Sequence, residues 1–376
     1  MDTVLLFDMD GVLLQPRGYH RALQKTVELL GTRLGFEDPT LDQEQIFAFE
    51  AAGVTSEWDS SAICLAWMMR LCWEQEPDLN LPSTLHTRED PPPSRSDPDW
   101  SGLFNRLRSN PKITTSPLEA AQDILTEGLS AQHRRQILEL MENAHNPDAI
   151  THRTFQELVL GSDTYRETYP HAPQLDLSGY LVQFDQPNLT RAETDTCLAW
   201  LASGKRAGCI LTNRPSNPPG KQFGTPEAEI GASLVGLDEL PLVGYGEMAW
   251  IAAERGQAVH RFRKPGPVHA LSALLAAAGV PGVEALQTAA SLALTQHKEP
   301  VWDPFKGSEI YIYEDTPAGI ESVFAAAEIL EQTSIPVNIT AAGIATDNQK
   351  VASLEEAGAR VYKDLRTALR NQFALF

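Results

Sequence analysis

The sequence predicts an α/β protein with a doubly wound parallel sheet, interrupted after its first strand by a large helical insert. Three observations carry that expectation. A short apolar run at 4–7 opens the chain, and from about 18 to 190 the hydrophobic pattern is helical apart from one polar stretch. Beyond 190, short apolar runs alternate with amphipathic ones to the end, the mark of strand–helix units in a parallel sheet. The expected division is a core of 1–17 with 190–376 and a helical domain of 18–189.

Each element follows from local pattern. Val4-Leu5-Leu6-Phe7 reads as a buried strand halted by Asp8. Segments 19–30 and 42–52 are helical. Ser56 is placed to cap a third helix, with Asp59 completing a capping box. Residues 84–98 carry three consecutive prolines, several charges and almost no apolar side chain, and are expected to form a mobile solvated loop. Helical patterns resume at 100–107, 117–126, 131–144 and 150–160. A helix at 191–203 then leads to a strand at 208–211. Strands are expected at 241–244, 310–313, 335–340 and 361–362, each followed by a helix, the last of them at 365–373.

Composition bounds the partners. The chain has 376 residues, 42% hydrophobic and 21% charged, the profile of a folded globular protein. Lysine and arginine number 30 against 50 aspartates and glutamates, a formal net charge of −20. That argues against nucleic acid and anionic membrane as partners, since both require basic patches. The insert, 18–190, holds 26 acidic and 13 basic residues, a net −13, so most of the excess lies there. An acidic domain of this kind favours a small ligand over a polyanion. The N-terminus has an acid inside its apolar run and no basic flank, so no signal peptide is expected. No apolar run approaches membrane-spanning length. Cys64, Cys72, Cys197 and Cys209 form no CxxC, which argues against disulfides and zinc and for a cytoplasmic setting.

Chemistry-bearing residues gather at the carboxyl ends of the expected strands, where open α/β sheets place their ligands. Asp8-Met9-Asp10-Gly11 follows the first strand and Thr212-Asn213-Arg214-Pro215 the second. Arg263-Lys264-Pro265-Gly266-Pro267 precedes a helix, and Glu314-Asp315-Thr316-Pro317 follows the strand at 310–313. Two aspartates two residues apart crowd like charges that a cation or shared proton must relieve. With Glu314 and Asp315 they form an oxygen-only donor set of the kind Mg²⁺ prefers. A lysine and a threonine hydroxyl complement phosphoryl oxygens, so the set reads as phosphoryl transfer.

FDMDGVL, TNRP, the lysine of RKPGP and EDTPAGIES resemble, in order, the four motifs of the haloacid dehalogenase (HAD) superfamily. The helical insert after the first motif resembles that superfamily's C1-type cap. The resemblance implies a HAD-like Rossmannoid core and a Mg²⁺-dependent phosphatase acting on a small phosphorylated metabolite. It implies Asp8 as nucleophile, forming an aspartyl-phosphate, and Asp10 as general acid and then base. Thr212 would bind the phosphoryl group and Lys264 would neutralise it. Mg²⁺ would take the side chains of Asp8 and Asp315 and the backbone carbonyl of Asp10, with Glu314 as a further candidate.

One departure from the family pattern and several further residues bear on substrate. Leu14, Gln15 and Pro16 stand where many relatives carry an acid and a hydroxyl. His20 fits the spacing of a histidine that relatives place on the first cap helix, and with Asn213 and Arg214 it is a candidate substrate contact. Arg214 is expected either to reach an anionic group or to form a surface ion pair. In the insert, 53–59 reads either as a specificity loop or as an ordinary helix–helix turn with Trp58 packing. Phe155, Tyr165, Tyr169 and Tyr180 read as packing. Dehalogenation is disfavoured by the second aspartate, and phosphonate cleavage by the lack of a telling lysine in the insert. A sugar-phosphate mutase is the enzymatic alternative, and a non-catalytic HAD-fold binding module the non-enzymatic one.

Overall fold

Six parallel strands form the central sheet of the computed structural model, which describes residues 1–79, 81, 94–113, 115–220 and 224–376. In chain order the strands are β1 Thr3–Phe7, β2 Leu14–Gln15, β3 Gln186–Pro187, β4 Arg206–Leu211, β5 Leu242–Val243, β6 Glu309–Glu314, β7 Asn338–Ile344 and β8 Arg360–Tyr362. The sheet runs β5-β4-β1-β6-β7-β8, while β2 and β3 pair separately and antiparallel. The chain leaves β1 for β4 and β5 on one side and returns to β6 on the other. That reversal puts a topological switch point between β1 and β6, with both carboxyl ends opening into it.

Period-2 alternation between two covered faces explains why Val4 to Phe7 of β1 are all apolar. Val4 and Leu6 join one core cluster with Leu211, Ile310 and Ile312. Leu5 and Phe7 point the other way, with Ile210 and Tyr313. Both faces are therefore covered, as a parallel sheet requires. The first cluster is closed by the apolar helices Pro267–Ala277 and Gly282–Thr295, the second by Arg191–Ala202 and Leu365–Phe373. Thr190 and Glu193 form a capping box at the start of Arg191–Ala202.

The chain divides into two compact units, Met1–Pro16 with Asp185–Phe376, and Arg17–Phe184. The segment 185–189, which the sequence reading leaves in the insert, belongs to the sheet unit. It holds β3 and Asp185, and Asn188 donates to the carbonyl of Val12 at 2.9 Å. The second unit is helical among its described residues. Gly18–Leu34 packs against Glu57–Gln75 and Ile150–Leu160. Gly31 permits close approach there, because a Cβ would collide with Pro39 and Met68. Ser56 accepts from the N–H of Asp59 and caps Glu57–Gln75. Trp58 lies against Tyr19, Phe155 and His145, which makes the 53–59 segment a packed turn. No helix among the described residues is long and apolar enough to cross a membrane.

Two sequence expectations need correcting. The strand read at 335–340 runs instead from Asn338 to Ile344. Pro336 has no N–H for a ladder, and the small residues Ala341, Ala342 and Gly343 pair with β6 and β8. Of the loop expected at 84–98, residues 84–93 lie outside the described residues, and 94–98 include a buried anchor. Arg95 donates its Nε to the carbonyl of Leu34 at 3.1 Å and its backbone N–H to that of Gly35 at 2.7 Å. It thereby satisfies carbonyls that the end of Gly18–Leu34 leaves without helical partners.

Candidate active site

Asp8 continues β1 by one residue, its N–H donating to the carbonyl of Tyr313 at 2.9 Å, so its side chain emerges at the switch point. The turn behind it is tight. The N–H groups of Leu13 and Leu14 both reach the carbonyl of Met9 at 2.9 Å. Gly11, at φ +78°, lets the chain reverse, and a Cβ there would run into the carboxylate of Asp315. Gly319 serves the same need beyond β6, where a Cβ would strike the carboxylate of Glu314. The glycines of DMDG and TPAG are thus what allows these carboxylates to approach.

Lys264 is buried between two of them. Its Nζ donates to Asp8 Oδ1 at 2.6 Å and also to Glu314 Oε1. The backbone N–H of Lys264 donates to His269 Nδ1 at 3.3 Å, and His269 Nε2 bonds the carbonyl of Val243 at 3.0 Å. Burial would depress Lys264, but the charges of Asp8 and Glu314 outweigh it and push its pKa up. Glu314 accepts on its second oxygen from the N–H groups of Asp315 and Thr316 and from Thr316 Oγ1, at 3.0–3.1 Å. Asp315 is ion-paired through Oδ2 to Lys350.

Thr212 follows β4, its N–H on the carbonyl of Val243 at 3.1 Å and its Oγ1 accepting from the N–H of Arg214 at 3.1 Å. Asn213 is exposed. Arg214 departs from both uses expected of it, because it is neither at the surface nor open to a substrate anion. Its side chain is 1% exposed, with Nε 3.1 Å from both oxygens of Asp10 and Nη2 2.6 Å from Asp10 Oδ1. Nη2 also reaches Oδ2 of the fully buried Asp185 at 2.8 Å. A fork on Asp10 backed by a buried acid fixes the carboxylate in orientation. His20 lies in the helical unit, with Nε2 on Glu50 and Nδ1 on Gln43, each at 3.1 Å.

The electrostatics are unbalanced. Asp8, Asp10, Asp185, Glu314 and Asp315 face Lys264, Arg214 and Lys350, five carboxylates against three cations, a formal excess of two negative charges. Burial, followed by the repulsion of Glu314, holds Asp8 well above the usual carboxylate range. Asp315 is pushed up to about 6, chiefly by burial. Asp8, Glu314 and Asp315 each offer an oxygen within 4.8 Å of the others, a geometry fit for one metal ion. The side chain of Asp10 lies outside that group.

Sequence reasoning missed Asp185, Lys350 and His269. Asp185 lies in a mixed polar and apolar stretch and carried no signal, whereas Lys350 follows the carboxyl end of β7 and is recognisable once that strand end is known. His269 has a testable consequence. Burial, with help from Lys264, lowers its pKa from 6.5 to about 3, so it is neutral in the fold. Between those values the unfolded chain binds the extra proton. The histidine's contribution is therefore full above pH 6.5 and is lost as the pH falls, by about 1.4 kcal/mol per unit. Denaturant titrations of His269→Gln at pH 7 and pH 5 are expected to show a pH-dependent loss about 2 kcal/mol smaller than that of the parent. An unchanged loss would contradict the neutral assignment.

No protein-family model matches the chain, and no curated protein matches it by sequence. Among solved structures, the X-ray structure of Northeast Structural Genomics Consortium target ZR25 is similar over 100% of both chains, with a TM-score of 0.68 at 17% identity. That end-to-end likeness is one of fold. "Phosphatase Tt82 from Thermococcus thioreducens" aligns over 94% of this chain and 98% of its own, at 15% identity and a TM-score of 0.43, a likeness too slight to carry an inference.

Proposed function

We propose that the protein is a Mg²⁺-dependent phosphatase of the HAD type, hydrolysing a small phosphorylated metabolite through an aspartyl-phosphate on Asp8. The observation that carries this reading is the formal excess of two negative charges at the switch point, Lys264 already counted, beside a buried threonine hydroxyl. One divalent cation balances that excess. The donor set is carboxylate oxygen only, which suits Mg²⁺ and excludes a thiolate or imidazole site. Asp8 and Asp315 would hold the ion, with the backbone carbonyl of Asp10. Glu314 has one oxygen filled by three donors and the other on Lys264, so its part is to fix Lys264 and the turn after β6. Bound there, Mg²⁺ would supply charge neutralisation for the phosphoryl oxygens.

The chain's own residues account for the remaining steps. Lys264 opposes the burial and the Glu314 charge that disfavour ionised Asp8, a bound cation would add to that opposition, and the ammonium offers its charge to the oxygens that gain density. Thr212 presents a hydroxyl to the same group. Asp10, held by Arg214, protonates the leaving oxygen and then takes a proton from the attacking water. The helical unit is proposed as the cap that carries substrate specificity. With both His20 nitrogens engaged inside that unit, nothing specific favours the mutase alternative, and hydrolysis is the reading adopted.

The test is phosphate release from a broad panel of small phosphate monoesters. Release is expected with Mg²⁺, loss on chelation, and recovery on readdition. No release from any ester under Mg²⁺ would overturn the proposal.

A further inference from the structure

The two lysines of the acidic pocket are built differently. Lys264 has a side chain 3% exposed and bridges two carboxylates. Lys350 has a side chain 42% exposed and holds the single carboxylate of Asp315, itself 13% exposed. Its backbone is pinned at the start of the helix Asn348–Glu356, where Asp347 Oδ1 accepts from the N–H groups of Gln349 and Lys350 at 3.0 Å each. The side chain therefore has one fixed end and one end at the boundary between solvent and pocket. Its four-carbon stem lets the ammonium exchange Asp315 for water without moving the helix.

We infer that Lys350 is a resident counter-ion that competes with the divalent cation for Asp315 and so sets the affinity of the site for metal. This rests on the reading of Asp8 and Asp315 as the metal-holding carboxylates. With Lys350 in place the pocket carries an excess of two negative charges; without it the excess is three, all of it available to the incoming ion. A cation entering the pocket must either displace the ammonium from Asp315 or bind beside a like charge, and each costs affinity. Removing the ammonium therefore tightens metal binding, whereas removal of an ordinary ligand-orienting residue loosens it.

The test is calorimetric titration of the full chain with Mg²⁺ alone, comparing the parent with Lys350→Gln, Lys350→Arg and Asp315→Asn. Lys350→Gln is expected to bind Mg²⁺ about tenfold more tightly than the parent. Lys350→Arg, which keeps the charge, is expected to stay near the parent value, and Asp315→Asn to lose binding. A second reading comes from amine acylation followed by peptide mass analysis, in which modification of Lys350 is expected to rise when Mg²⁺ is added. Unchanged or weaker binding by Lys350→Gln, with the parent still binding and Asp315→Asn not, would overturn this inference and leave the metal site standing. Absence of binding by both the parent and Lys350→Gln would overturn the metal site and the inference together.

Discussion

Asp8→Asn is expected to abolish ester hydrolysis, a fall of about 10⁴-fold or more in kcat, while leaving a folded protein. The amide fills the volume of the carboxylate but is no nucleophile toward phosphorus. Two features keep the fold intact. Lys264 retains its second partner, Glu314, so the substitution does not strand a buried cation. The carboxylate it removes is one that burial and Glu314 already disfavour in ionised form. Thermal unfolding of the metal-free variant is therefore expected at or above the parent temperature, the usual trade between activity and stability at a strained site. Hydrolysis at the parent rate would contradict the nucleophile assignment; a collapsed melting temperature would contradict the electrostatic account.

The second large effect concerns Arg214 and Asp185. Asp185→Ala removes one anchor of a guanidinium whose side chain is 1% exposed, from a position that is itself fully buried. Breaking one side of a buried ion pair costs about 3–5 kcal/mol, because the remaining charge is left poorly compensated away from water. Urea denaturation at neutral pH measures this directly, and a loss below about 1 kcal/mol would show that Asp10 alone suffices to hold the arginine. The kinetic consequence separates two roles for Arg214. As the residue that orients Asp10, its replacement by lysine, which keeps the charge but loses the fork, is expected to lower kcat with little change in KM. As a substrate contact it would raise KM instead. The geometry favours the first outcome.

Much of this site was legible in the sequence because its residues sit where backbone direction leaves few choices. Asp8, Thr212 and Glu314 each close an apolar strand run. A parallel sheet carries all such ends to one edge, so their assembly follows from the strand pattern alone. The glycine after Asp10 was visible at the strand end, although what it makes room for was not, and Gly319, inside the helix Pro317–Gln332, carried no signal of its own. Arg214 shows where the reading runs out. Its position after Thr212 and Asn213 placed it at the mouth, but the direction of its side chain depends on Asp185, distant in sequence and without a periodic signal. Lys350 was invisible for a similar reason. The strand that positions it was read too early by a few residues, which hid the strand end it follows. The helices at Glu227–Val235 and Gly282–Thr295 escaped because apolar residues also stand away from their buried faces, Ile230 and Leu234 in the first and Val283 and Leu294 in the second, which blurs the period.

The central claim, that Asp8 takes the phosphoryl group, is tested most directly by rapid acid quench of the Asp10→Asn variant during turnover of an ester that the parent hydrolyses, followed by mass analysis of the peptide containing Asp8. With the base removed, the account expects a phosphoryl adduct on Asp8 that accumulates with Mg²⁺ and is absent from the Asp8→Asn protein. Continued hydrolysis with that peptide unmodified, or an adduct on any other residue, would contradict it.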